Sequence, residues 1–226
     1  MARPHIVAKL AQTELFAEVD ADALGRLSDH AIEREYRKGQ LVFSQGDVGD
    51  SLFVLTEGIV MVVLSAETGD QMVLTTLRPL ATFGELSLVD GRPRSASVEA
   101  VETSKVIVVG RPAWQDLIAT DRALADGVTQ SLAAMLRRLT DQASDFVFLD
   151  LPGRLAKFLV RAYESQGEHP ELDLSLNQTD LANAVGGSRQ SVNQILGHLS
   201  GRGLIEVQGR TIVIHDPDAL KRRAGL

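Results

Sequence analysis

Phe83-Gly84-Glu85-Leu86-Ser87-Leu88-Val89-Asp90-Gly91-Arg92-Pro93-Arg94-Ser95-Ala96 is the stretch on which the reading of this chain turns. It sets a carboxylate, Glu85, and a guanidinium, Arg94, a short loop apart behind a glycine. A short helix opening after Gly84 would aim unpaired backbone N–H groups at an anion in front of it. Arg94 adds a fork of charged donors and Ser95 a hydroxyl. Glu85, ionised, accepts hydrogen bonds, for example from a sugar hydroxyl. A phosphate with a diol beside it would engage all of these groups at once. A Glu85–Arg94 ion pair closing an ordinary turn would use the same residues, and the stretch alone leaves both readings open.

Around it lies a β-rich region from Glu33 to about Val109. Short apolar runs at 41–43, 52–55, 59–64, 72–77 and 106–109 alternate with turn signals at Gly39, Gly46-Asp47, Gly49-Asp50, Glu57-Gly58 and Thr68-Gly69-Asp70. Many short strands at near-regular spacing predict an antiparallel barrel or jelly roll. Upstream, residues 9–30 read as short helical pieces anchored by Leu10, Leu15, Phe16, Leu24 and Leu27. Downstream of Arg111-Pro112 the pattern turns helical. Val128, Leu132, Met135, Leu139, Gln142, Phe146 and Leu149 step by 4, 3, 4, 3, 4 and 3 residues, a heptad seam with one polar position. Such a helix either packs on its own barrel or pairs with its twin; its length and strict 3.5-residue period favour the pairing. Leu149-Asp150-Leu151-Pro152-Gly153 interrupts the helical pattern and is a candidate hinge, with Asp150 placed to cap a helix over 154–164. Residues 165–173 read as a polar loop.

The last quarter carries a second signal. Asn177 suits an N-cap, with Asp180 three residues on at the positive helix end. Gly186-Gly187 stops that helix, and Ser188 caps the next. Val192, Ile195, Leu196 and Leu199 face inward, which leaves Arg189, Gln190, Asn193 and Gln194 on the other side. This is a helix-turn-helix whose second helix offers its N-terminal residues outward. Residues 203–207 and 210–214, joined at Gln208-Gly209, read as two strands of a wing. Arg189 has the fork for a guanine edge, and Gln190 and Gln194 could read adenine. Arg202, Arg210, Lys221, Arg222 and Arg223 are candidate phosphate contacts, although Lys221-Arg222-Arg223 reads more readily as a solvated tail.

Composition narrows the classes. With 226 residues and 44% apolar content, the chain is long enough for two modest domains. It has no cysteine, which removes disulfides, thiolate iron–sulfur clusters and redox thiols. No clustered histidines accompany the strands, so neither a metalloenzyme nor a haem sensor is expected, and no nucleophile–base pair marks a catalytic site. No apolar run nears the roughly 20 residues of a membrane span, and no signal-peptide core opens the chain; a cytoplasmic protein is expected. The net charge of −7 is uneven: residues 1–149 hold 14 Lys+Arg against 21 Asp+Glu, while residues 150–226 hold 9 of each. The neutral C-terminal part can bind DNA if its cations share a face. The acidic balance leaves open a nucleotide-binding module that acts on a protein partner instead.

The stretch from Gly84 to Ala96, with Arg37-Lys38-Gly39 and Gly46-Asp47…Gly49-Asp50-Ser51-Leu52-Phe53 upstream, resembles the phosphate-binding cassette and entry strands of cyclic-nucleotide-binding domains. Residues 147–156 and 188–196 resemble the Crp–Fnr family of bacterial transcription regulators, and the likeness runs from about residue 10 to 218. The resemblance implies an α+β chain: an N-terminal antiparallel β jelly roll of the cyclic-nucleotide-binding type (1–111), a helix leading into a long dimerisation helix (112–149) and a C-terminal winged helix-turn-helix (150–226). It implies that Gly84, the Glu85 and Leu86 backbone, Arg94 and Ser95 hold the phosphate, and that Glu85 holds the ribose. The family often reads the purine with consecutive Thr and Ser residues, which here fall on Leu139 and Thr140; Leu139 departs from the pattern. The implied effector is a cyclic nucleotide, cAMP first and cGMP second, with no prosthetic group and no metal. The implied partners are a palindromic double-stranded operator read by Ser188, Arg189, Gln190, Asn193 and Gln194, a second copy of the chain, and RNA polymerase. Gln190 and Gln194 stand where catabolite activator-type members often carry Glu and Arg, which implies a related but different DNA site. Leu139 supports the alternative of a ligand-independent regulator with a vestigial or re-purposed pocket.

Overall fold

The computed structural model describes residues 3–174, 176–209 and 211–226. The chain divides into two units, Met1–Arg137 and Arg138–Leu226. The first opens with helix α1 (Pro4–Leu10), a 3-10 turn (Glu14–Phe16) and α2 (Ala21–His30). Pro4 occupies the first turn of α1, where its missing N–H goes unnoticed. Asp20 caps α2 by accepting from the Asp22 N–H at 2.6 Å.

Eight strands follow in two antiparallel sheets of four. One runs β1 (Ile32–Tyr36), β8 (Ser104–Gly110), β3 (Ser51–Glu57), β6 (Thr82–Phe83); the other runs β2 (Leu41–Phe43), β7 (Ser97–Ala100), β4 (Val60–Ser65), β5 (Gln71–Leu77). This is the jelly roll that the turn spacing predicts. The unbroken apolar run at 52–55 has a physical reason. Leu52 and Val54 of β3 face a cluster built with α1, α2 and Trp114, while Phe53 and Leu55 face the interior between the sheets. Both faces of β3 are covered, so polar alternation disappears. β1 is the opposite case. Its Ile-Glu-Arg-Glu-Tyr sequence buries only Tyr36, and pairing with β8 holds it as an edge strand.

Short helix α3 (Glu85–Asp90) sits between β6 and β7, and β8 leads into α4 (Arg111–Thr120), where Trp114 is buried, and then α5 (Arg122–Phe148). Leu124 and Val128 of α5 are buried in the first unit's core, and Leu132 packs against it. Farther along the seam, Leu139 and Phe146 are each 39% exposed. The seam therefore starts in its own core and continues onto open surface.

The second unit holds α6 (Leu151–Ser165), α7 (Gln178–Val185), α8 (Arg189–Gly201), α9 (Pro217–Arg223) and a three-stranded sheet in the order β10 (Ile205–Gln208), β11 (Thr211–Ile214), β9 (Glu171–Asp173). Three expectations change here. The segment 165–173 is not all loop: Leu172 is fully buried within β9, which pairs with β11. A three-residue strand flanked by acids is too short to show alternation. The helical interruption is confined to Leu149-Asp150. Pro152 lies in the first turn of α6, and Asp150 caps that helix by accepting from the Gly153 N–H at 2.9 Å. Lys221-Arg222-Arg223 is no solvated tail but the last turn of α9, docked through fully buried Leu220 with Ala224 just beyond.

Candidate anion pocket and nucleic-acid interface

β6 delivers the backbone to Gly84, whose φ of +83° lies in the left-handed region. A Cβ at this position would come within 2.7 Å of Arg94 Nη1, so glycine is required for both conformation and space. Arg94 Nη1 donates to the Gly84 carbonyl at 2.6 Å, and Nη2 donates to the Ser51 carbonyl at 2.8 Å. The guanidinium lies 4.3 Å from the Phe43 ring centroid and 5.5 Å from that of Phe53. Arg94 is only 4% exposed, and its Nε is buried with no hydrogen-bond partner among the described residues. Burial pushes its pKa below the usual arginine value, Asp50 and then Glu85 pull it back up, Arg111 lowers it and Asp47 raises it. The side chain stays charged, because arginine does not deprotonate in proteins. A buried cation whose direct acceptors are neutral carbonyls, and whose Nε–H is unpaired, has the chemistry to receive an anion.

Glu85 and Leu86, both half-buried, begin α3 beside Gly84, and Ser95 follows Arg94 on the surface. Gly46 N donates to the Arg94 carbonyl at 2.9 Å, and Arg94 N donates to the Asp47 carbonyl at 2.8 Å, which lays the 44–50 loop along the cassette. Sequence reasoning passed over Arg111. Its Nη2 donates to the Gly49 and Ser87 carbonyls at 2.5 and 2.8 Å, and its Nη1 to the Leu88 carbonyl at 3.4 Å. It braces α3 and the loop against the start of α4. An arginine before a proline carries no local mark of that role. Thr140 belongs to the second unit, on the exposed part of α5.

In the second unit, a capping box starts α7. Asn177 Oδ1 accepts from the Thr179 and Asp180 N–H groups at 2.8 and 3.0 Å, and Asp180 Oδ2 accepts from Asn177 N at 3.3 Å. Gly186, at φ +65°, ends the helix; a Cβ there would lie 2.4 Å from the Phe146 ring. Ser188 caps α8 by accepting from Ser191 N at 3.0 Å. α8 buries Val192, Leu196 and Leu199, while Ser188, Arg189, Gln190 and Gln194 are exposed. Asn193 departs from the outward placement: it is half-buried, and its Nδ2 donates to Gln178 Oε1 at 3.1 Å. Arg154 joins this turn to the helix break. It donates to the Val185 carbonyl at 2.8 Å, to Gly186 at 3.2 Å and to Leu149 at 2.9 Å, with its guanidinium 4.7 Å over Phe146. Of the candidate phosphate contacts, Lys221 pairs with Glu164 at 3.3 Å and Arg223 with Asp150 at 2.6 Å. Arg202 and Arg222 form no ion pair among the described residues, and Arg210 lies outside them.

Residues 33–121 match the cyclic nucleotide-binding domain, and residues 153–223 match the Crp-like helix-turn-helix domain. The chain is 31% identical over 219 residues to a CRP-like cAMP-activated global transcriptional regulator of Mycobacterium tuberculosis, covering 95% of this chain and 98% of that protein. The catabolite activator protein of Thermus thermophilus aligns at 27% identity with a TM-score of 0.55, over 94% of this chain and 99% of that one. FixK2 from Bradyrhizobium japonicum, at 21% identity, shares the fold with a TM-score of 0.77 over 85% and 96% of the two chains.

Proposed function

Because this chain belongs to the Crp–Fnr family of transcription regulators, we propose that it is a homodimer whose grip on a palindromic operator is set by a cyclic nucleotide, with cAMP as its effector. It is a DNA-binding regulator with a cyclic-nucleotide-binding domain, and not an enzyme. The observation that carries the effector assignment is the buried Arg94 guanidinium with its unused Nε beside Gly84. In this reading the phosphate replaces the neutral carbonyls as the main partner of Arg94. Gly84, the Glu85 and Leu86 backbone and Ser95 complete its shell, Glu85 accepts from the ribose hydroxyl, and Thr140 serves the purine. On the DNA side, Ser188, Arg189, Gln190 and Gln194 serve the major groove, with Asn193 turned inward behind them and two half-sites about 34 Å apart.

We place the functional boundaries at 1–111, 112–149 and 150–226. The units divide within the second of these, after Arg137, because the first turns of α5 pack into the helical cluster on the outer face of β3 and β8. The dimer assignment is supported by the seam that continues onto exposed surface at Leu139. The effector acts by population shift: it favours the state of α5 and of the Leu149-Asp150 break in which the operator binds better, and RNA polymerase is the downstream partner.

Titration calorimetry with cAMP and with cGMP tests the assignment. Saturable binding of cAMP, tighter than that of cGMP, is expected; no binding of either at millimolar ligand would overturn it. Leu139, where the family pattern has a hydroxyl, favours a second reading in which the pocket is re-purposed. Operator binding that is tight without ligand and unmoved by cAMP would select that reading.

A further inference from the structure

We propose that Gln178, at the first position of α7, is a positioning residue for base recognition: it buttresses Arg189 so that the outer edge of the guanidinium faces one guanine of each half-site. The inference rests on the assignment of Arg189 as a base reader. Three donors converge on Gln178 Oε1: Arg189 Nε and Nη2, each at 3.4 Å, and Asn193 Nδ2 at 3.1 Å. Which edge of the arginine is engaged decides the role. A guanidinium has two faces for paired hydrogen bonds, the Nε/Nη2 side and the Nη1/Nη2 end. Gln178 takes the side. The end keeps its two parallel N–H groups, the pair that matches guanine O6 and N7.

Arg189 needs such a support. It is exposed, at the first position of α8, with a long flexible stem, and no carboxylate pairs with it among the described residues. An unsupported arginine would spread over rotamers and sample several base edges. Gln178 is itself held. It is half-buried and directly follows Asn177, the cap of α7, so the capping box fixes its backbone. Asn193, one turn along α8 from Arg189, donates to the same oxygen and fixes its direction. The chain thus ties the start of α7 to two positions of α8 through one neutral acceptor. A carboxylate in that place would hold Arg189 harder but would repel the DNA backbone.

The test is a base-by-base binding profile on the full chain with saturating cAMP, using an operator obtained by random-sequence selection. Each half-site position is changed in turn and affinity is measured by fluorescence anisotropy at several salt concentrations. Wild type, Gln178→Met, Arg189→Ala and the double variant are compared. Gln178→Met keeps side-chain length and helix propensity but removes the acceptor. The expected result is a loss of about fivefold in discrimination at the one position that Arg189→Ala also flattens. Other positions, the salt slope and the melting temperature stay unchanged, and the double variant is no flatter there than Arg189→Ala alone. A uniform loss at all positions with a shallower salt slope would overturn the inference and make Gln178 a phosphate contact. An unchanged profile would overturn it too. If Arg189→Ala flattens no position, the base-reader assignment fails and the buttress falls with it; if Arg189→Ala flattens one and Gln178→Met does not, only the buttress falls.

Discussion

Arg94 is held where a lone cation is costly. Its guanidinium is removed from water, and its two direct hydrogen bonds end on neutral carbonyls rather than on a carboxylate. Two phenylalanine rings return part of that cost. An incoming phosphate would return more, because hydrogen bonds between charged partners contribute about 1.5–3 kcal/mol each. Arg94→Leu should therefore weaken cAMP binding by at least about 100-fold, roughly two such bonds at the low end of that range. The fold should survive. The leucine removes a desolvated charge while leaving the Gly84 and Ser51 carbonyls without donors, two opposing effects of about 1–3 kcal/mol. Calorimetry and a thermal melt on the same variant check both halves: lost binding with a midpoint shifted by a few degrees is expected, and an unfolded variant would mark Arg94 as purely structural. The meeting of Gly84, Glu85 and Arg94 was legible in the sequence, because the three lie close together in the chain on either side of α3. The roles of Arg111 and Gln178 were not. Their partners, Gly49 and Arg189, are 62 and 11 residues away, and neither side chain differs in type from a solvated one.

Among the elements, α6 shows how local chemistry positions the DNA-binding unit. Asp150 accepts from the Gly153 N–H and also receives Arg223 Nη2 from α9 on both carboxylate oxygens, at 2.7 and 2.6 Å. The Arg223 hydrogen bond, then that of the Gly153 N–H, hold its carboxyl below the usual carboxylate range. Asp150→Ala should cost about 1 kcal/mol, the usual value of an N-cap. Asp150→Asn keeps a capping oxygen and loses only an exposed ion pair, worth about 0–1 kcal/mol, so it should sit closer to wild type. The sign with pH follows from the depressed carboxyl. Its contribution is complete above the ordinary aspartate range, near pH 4, and is lost as pH falls through the lower folded value. Urea unfolding at pH 7 and again below pH 4 should show the wild-type advantage over Asp150→Ala shrinking in acid; a gap that does not narrow would remove the ionised carboxylate from the account. The caps Asp150, Asn177 and Ser188 were legible because a cap and its target sit two or three residues apart. β9 and α9 were not. Leu172 has meaning only opposite Ile212, and the basic run 221–223 reads as tail until Leu220 is seen to be buried.

At the scale of the whole molecule, α5 runs from the first unit into the second. A Leu139→Lys substitution puts a charge into each helix of the proposed seam. It should shift the chain toward monomer in analytical ultracentrifugation without effector, and an unchanged dimer would place the contact elsewhere. Effector and operator must then be coupled through the dimer, and coupling is reciprocal. If saturating cAMP tightens operator binding by a factor between about 5 and 150, operator must tighten the binding of the dimer's two cAMP molecules, taken as a product, by the same factor, which is about its square root at each site. Anisotropy with and without cAMP gives one side of that equality, and calorimetry with and without operator gives the other. Dimerisation is the equilibrium that could make them differ, because DNA also favours the dimer by mass action. Any inequality should therefore vanish as protein concentration rises above the dimer dissociation constant, and should widen for Leu139→Lys. Equal factors at high concentration locate the switch within a preformed dimer. A mismatch that persists there would mean that cAMP and operator bind populations of the protein that do not interconvert.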